Sequence, residues 1–280
     1  MSLQTHRFSI QTQLSYQLSQ DGWILLNMAV MSSPSQRIVS EKAWNSLGKC
    51  FREQTASSDS TRFHGLAAPA GDLEVFYEAE VESDVARSGD LSELPESALI
   101  DLPPEIVRFL YPSRYCESDK LVRLAGKEFG DLLPGHERVA GICNWIHDRI
   151  DYQSGITNAH TSAVECLTVR AGVCRDFAHL GIALCRAMGI PARYGSAYAF
   201  GLPLADFHAI FEVWLGGHWW YYDATRLAPQ HGFLRVGIGH DAADTSVATM
   251  SSCVEFASMQ ISVEKLSESP VSYAEGPVRF

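Results

Sequence analysis

Two adjacent glycines, Gly216-Gly217, stand between the strand-like runs 206–215 and 218–223. A Gly-Gly pair in that setting predicts a β-hairpin closed by a two-residue turn, because both central positions of the preferred turn need φ > 0. Such a turn fixes a register: Leu215 opposite His218, Asp223 opposite Ile210 and His208 opposite Thr225. Side chains alternate along a strand, so positions 208 and 210 share a face. His208 and Asp223 are then diagonal neighbours on one face, about 7–8 Å apart at the backbone and within side-chain reach. A three-residue turn would put them on opposite faces, whereas a four-residue turn would keep them together.

The rest of the chain divides into a strand-rich part and a part with helices. Over 6–82, Phe8, Ile10 and residues 11–16 alternate in part, 23–30 is a stronger apolar run, and 63–66 and 73–81 add further strands. Turn signals separate them and no helical stripe intervenes, which predicts an antiparallel β domain. Residues 83–104, with Ser, Asp, Glu and Pro95, Pro103 and Pro104, read as a linker. Helical spacing follows at 105–110, 120–129 and 137–150, the last with Val139, Ile142, Cys143, Ile146 and Ile150 on one stripe. A fourth helix runs from Cys174 to Met188, buries Phe177, Leu180, Gly181, Leu184 and Met188, and stops at Gly189 before Pro191. Strands are expected at 193–200 and 253–263 besides the hairpin.

A chain of 280 residues with 46% hydrophobic content supports two ordinary cores. A net charge of −11 and the absence of any long Lys/Arg run argue against nucleic acid and against anionic membrane surfaces as partners. No stretch approaches the roughly 18 apolar residues of a membrane span, and the N-terminus lacks a signal-peptide pattern, so the expected location is cytoplasmic. The seven cysteines are scattered, odd in number and include no Cys-x-x-Cys pair, unlike a disulfide framework or zinc ribbon.

Cys174 differs from the other six by position. It follows Ala171-Gly172 and opens the strongest helix, where unpaired N–H groups and the helix dipole favour thiolate over thiol. Those N–H groups can also stabilise an oxyanion on an attacked acyl carbon. With His208 as base and Asp223 as the acid that orients it, the chain holds a complete set for cysteine nucleophilic catalysis. The competitors are weaker. Glu212 shares the His208 face but lies nearer the turn, and is expected to be a solvated or hydrogen-bonded face residue. His218 is expected to be exposed beside the turn. His179 points about 140° around the helix from Cys174, which suits packing or surface. Asp241 and Asp244 more simply serve a turn than a metal.

The motifs Gly172-Val173-Cys174-Arg175-Asp176-Phe177-Ala178, Met188-Gly189-Ile190-Pro191-Ala192-Arg193-Tyr194, His208-Ala209 with Glu212-Val213-Trp214, and Trp220 to Thr225 resemble the transglutaminase-like superfamily. His208 lies 34 residues after Cys174, and Asp223 lies 15 after His208. The dense match covers 160–226, and the strand-rich N-terminal part is similar to the β domain ahead of this core in bacterial members. The resemblance implies an α+β fold: a papain-like core with the Cys helix packed on an antiparallel sheet carrying His and Asp, preceded by the β domain. It divides the chain into 1–100 (β domain with linker) and 101–280 (catalytic domain). It implies a Cys174–His208–Asp223 triad acting on a protein or peptide amide through a thioester, with no metal or cofactor. The family's upstream oxyanion side chain has one weak match here, Tyr152, and Asp223-Ala224-Thr225 stands where many members have Asp-Pro-Thr.

The expected function is hydrolytic, as a cysteine protease or amidase, because water is always available as acceptor. A cross-linking transglutaminase, which needs a lysine site that excludes water, is the alternative within the class. Outside it stand a non-catalytic scaffold on the same fold and a metal site built from Cys174, His208 and Asp223.

Overall fold

The computed structural model describes residues 4–57, 59–87, 94–204, 206–267 and 278–279. The N-terminal part is a set of antiparallel strands: β1 (Gln4–Leu18), β2 (Gly22–Leu26), β3 (Gln36–Asn45), β4 (Arg52–Thr55), β5 (Arg62–Ala68) and β6 (Gly71–Arg87). β1 and β6 pair along their whole length, from Gln4↔Val85 to Leu18↔Gly71. The reason is written in period two: Phe8, Ile10, Leu14, Tyr16 and Leu18 are buried, and Val75, Tyr77, Ala79 and Val81 meet them from β6. β2, β5 and β4 belong to a second, four-stranded sheet, completed by a strand from near the C-terminal end of the described chain. β3 has no clean alternation, carries a bulge between Ile38 and Ser40, and pairs with the outer side of β6. The run expected as a strand over 23–30 is a strand only to Leu26; Met28, Ala29 and Val30 continue it as buried irregular chain.

The expected linker overlaps the end of β6, and its residues 88–93 lie outside the described residues. Helices follow: α1 (Pro104–Val107), α2 (Ser118–Phe129), α3 (His136–Arg149), α4 (Ala163–Val169) and α5 (Cys174–Ala187). Two short strands flank α4: β7 (Asp151–Tyr152) and β8 (Ala171–Gly172), paired in parallel. Then come β9 (Ala192–Ala199), β10 (His208–Leu215), β11 (His218–Tyr222) and β12 (Phe233–Gly239), in the spatial order β12-β9-β10-β11. α5 is the central helix. Phe177, Leu180, Ile182, Ala183 and Leu184 are buried in one core with α2, α3 and the near face of this sheet. Gly181 lets α5 approach β10, since a Cβ there would stand 2.6 Å from the Phe211 ring.

Both faces of the β9–β12 sheet are covered, so β10 is buried almost throughout. Tyr198, Phe207, Leu234 and Val236 belong to the N-terminal core, and the Tyr198 hydroxyl donates to Met28 O at 2.7 Å. The chain also returns on itself. β13 (Ala248–Met250) pairs with β2, β14 (Val254–Lys265) pairs with β1 from Phe8 to Leu18, and β15 (Val278–Arg279) bridges β11 and β6. Residues after 245 therefore build the N-terminal sheets as well as following the second core in sequence.

Candidate active site

The hairpin that the two glycines predict is present in the predicted register. Leu215 faces His218 and Phe211 faces Tyr222, and Gly216 and Gly217 have φ of 56° and 79°. The ladder ends there, and Asp223 continues past it toward His208. His208 Nε2 and Asp223 Oδ2 are 2.9 Å apart, both buried. The other carboxylate oxygen accepts from Thr225 N (2.9 Å) and Thr225 Oγ1 (2.7 Å), so Asp223 is fixed on both sides. Sequence reasoning left Thr225 without a role; an Asp followed two residues later by Thr is a local turn signal that could have supplied one.

Cys174 is the first residue of α5, half-buried, and its thiol points to Phe207 O at 4.0 Å, at the entrance of β10. His208 Nδ1, turned away from Asp223, has no partner at ordinary hydrogen-bond geometry, and the Cys174 thiol is the polar group beside it. Loose thiol–imidazole geometry is usual before substrate arrives. The imidazole is stacked on Phe233 (5.4 Å between centroids, 19°), which fixes its plane. Thus the structure brings together all three residues singled out from sequence.

The electrostatics of the group are set by burial against pairing. Burial works against a charged His208, but the Asp223 carboxylate and the Cys174 sulfur outweigh it and push the imidazole up to about 10. Burial likewise opposes an ionised Asp223, yet His208 and the two Thr225 donors hold its carboxyl below the usual range. Pairing with Asp223 thus favours a charged imidazole beside the Cys174 sulfur.

Tyr152 also arrives here. β7 pairs with β8, so Tyr152 lies level with Gly172, two residues before the nucleophile. Its phenol borders both the Cys174 thiol and the Cys174 N–H; burial and the nearby thiol push it up to about 12, so it stays a proton donor at neutral pH. Two residues of parallel pairing leave no pattern in the sequence.

The competitors sit elsewhere. Glu212 is buried, not solvated, and is held by Arg193 (2.5 Å) and Arg235 (2.9 Å), so it has no freedom to serve His208. His179 is wholly buried between the Tyr115 and Tyr194 rings and accepts from Ala242 N at 3.1 Å; its role is packing. His218 is exposed beside the turn. Asp241 accepts from Tyr115 N and Ala243 N, and Asp244 from His240, so both shape the 240–245 turn. Among the described residues no group of three or more His, Cys, Asp or Glu is gathered as a metal site.

Residues 124–224 match the Transglutaminase-like superfamily. The crystal structure of a protein from Cytophaga hutchinsonii, designated a putative cysteine protease, superposes with a TM-score of 0.93 at 38% identity, covering 98% of this chain and 97% of that one. The chain belongs to the transglutaminase-like superfamily. Two uncharacterised mycobacterial proteins are also related to this transglutaminase-like chain. One, from Mycobacterium leprae, is 32% identical over 196 residues, 65% of this chain and 68% of its own length. The other, from Mycobacterium tuberculosis, is 28% identical over 241 residues, 78% and 72% of the two chains. The likeness to the Cytophaga protein spans the N-terminal strands as well as the transglutaminase-like core, so the two-core architecture is shared.

Proposed function

We propose that this protein is a thiol acyl-transfer enzyme that hydrolyses amide bonds in peptides or proteins, as a cysteine protease or amidase. The observation that carries the reading is the buried His208–Asp223 pair at 2.9 Å whose free imidazole nitrogen adjoins the Cys174 thiol at a helix N-terminus. The reaction starts with the thiol proton already on His208 Nδ1, and the thiolate attacks the amide carbon. The oxyanion that forms is met by the N–H groups of the first turn of α5 and by the Tyr152 hydroxyl. His208 then passes its proton to the leaving amine, the C–N bond breaks, and a thioester on Cys174 remains. Water, deprotonated by His208, attacks the thioester, and the carboxylic acid leaves with the thiol restored. Asp223 stays ionised throughout and keeps Nε2–H directed at itself. Cys174 is half-buried and Tyr152 partly exposed, so water reaches the thioester, which favours hydrolysis over transfer to an amine.

Treatment with an activated acyl ester, followed by peptide mapping, is the test. The expected result is one hydroxylamine-labile acyl group on Cys174, absent from Cys174→Ala, and formed about 10²–10⁴-fold more slowly in His208→Ala. Acylation spread over the cysteines, or unchanged in His208→Ala, would overturn the reading. Appearance of amide product when an amine is added, at the expense of acid, would replace hydrolysis by cross-linking.

A further inference from the structure

We infer that Asp176 is a positioning residue: its carboxylate ties the loop 153–161 to the turn that carries Cys174, and so sets Tyr152 against the nucleophile. The inference rests on the acyl-transfer reading and concerns a residue that this reading does not use.

Asp176 is the third residue of α5, and its side chain is wholly buried. An acid at this position normally caps the helix from the solvent side, accepting from one backbone N–H. Asp176 does accept from Val173 N, at 2.9 Å. The same oxygen also accepts from Thr157 Oγ1 at 2.5 Å, from the loop that follows Tyr152. The second oxygen accepts from Arg175 Nη2 at 3.1 Å, and that nitrogen also donates to Asn158 O at 2.7 Å. One carboxylate thus holds the backbone turn before Cys174 with one bond and reaches both Thr157 and Asn158 with the rest.

The loop is held at its root by the same turn. Gln153 N donates to Gly172 O at 2.9 Å, beside the Tyr152–Gly172 pair. Gly172 has no room for a side chain, since a Cβ would stand 2.7 Å from the Asp176 Cβ and 2.9 Å from its Oδ2. Gly172, Asp176 and the loop therefore form a single packed knot, to which both Tyr152 and Cys174 are joined directly along the chain. A buried carboxylate is stable only while its donors stay in place, so loosening the loop leaves the charge unsatisfied, and the knot closes as a unit.

The chemistry separates positioning from simple support. Alkylation of Cys174 by iodoacetamide develops no oxyanion, whereas acylation by a p-nitrophenyl ester does. If the knot aims Tyr152, its loss slows acylation and leaves alkylation nearly unchanged. The variants are Asp176→Asn, which removes the charge, and Thr157→Val, which removes one loop bond and leaves the helix cap intact. Thr157→Ser keeps the hydroxyl. The expected result is a fall of roughly tenfold in the ratio of ester burst rate to alkylation rate for Thr157→Val, a larger fall for Asp176→Asn, and a wild-type ratio for Thr157→Ser. The idea is overturned if the wild type gives a burst on Cys174 and Thr157→Val keeps its ratio, or if Thr157→Ser fails to restore it. A wild type with no burst would instead contradict the acyl-transfer reading itself. Should Asp176→Asn not fold, Thr157→Val with its Ser control decides alone.

Discussion

Among single residues the His208–Asp223 pair decides the chemistry, and its pH dependence has a definite sign. His208 is raised in the folded state, so its stabilisation is full below the ordinary value near 6.5 and is lost as pH rises toward about 10. Asp223 is lowered, so its contribution is present above its ordinary value and is lost as pH falls. Asp223→Asn should therefore cost about 3 kcal/mol in urea unfolding near about pH 6, and much less at about pH 10. A penalty independent of pH would mean the pair is not ionised. Removing one of the two donors to Asp223 Oδ1 in Thr225→Val, which leaves the Thr225 N–H bond in place, should lower the acylation rate about tenfold with a smaller stability loss, since Asp223 would keep its partner but be held less firmly in orientation. Cys174, His208 and Asp223 were legible in the sequence because each lies where local rules are strong: a helix start and a two-glycine hairpin. Tyr152 was only a weak match and Asp176 had no role, because their places depend on the β7–β8 pairing and on a loop contact, neither of which has a periodic signature.

At the scale of elements, the hairpin and α5 decide whether the site exists. Gly216 and Gly217 both have positive φ, which β-branched residues resist, so Gly217→Val should destabilise the protein by about 1–2 kcal/mol in chemical unfolding. Gly181→Leu should cost at least about 1–3 kcal/mol, because Phe211 is fully buried and has nowhere to retreat. A neutral outcome at Gly181 would show that α5 and β10 are less tightly seated than described. The long helices α2, α3 and α5 were readable within a few residues, since an apolar stripe marks each. α4 spans seven residues and carries too few turns for a stripe, although its Ser162–Glu165 capping box is a sequence signal. β3 lacks alternation because a bulge and a solvated face interrupt it, and β12 lacks it because both its faces are buried.

At the scale of the whole molecule, strand return matters most. β14 completes the sheet begun by β1, and Tyr198, Leu234 and Val236 sit in the N-terminal core. A fragment 101–280 should therefore be insoluble or unfolded when expressed alone, because β14 and the far face of the β9–β12 sheet would lack their partners. A folded fragment with a reactive Cys174 would show that the second core stands by itself. Pairing across some 240 residues of chain leaves no local trace, so a boundary near residue 100 was as far as composition and turn signals could lead. Among the described residues no helix is long and apolar enough to cross a membrane. The measurement that bears most directly on the account is the pH dependence of iodoacetamide labelling, resolved cysteine by cysteine by mass spectrometry. Rapid labelling of Cys174 well below about pH 8, slowed in His208→Ala, is the predicted result. Labelling of Cys174 no faster than exposed Cys50, and indifferent to His208, would contradict an activated thiolate–imidazole pair.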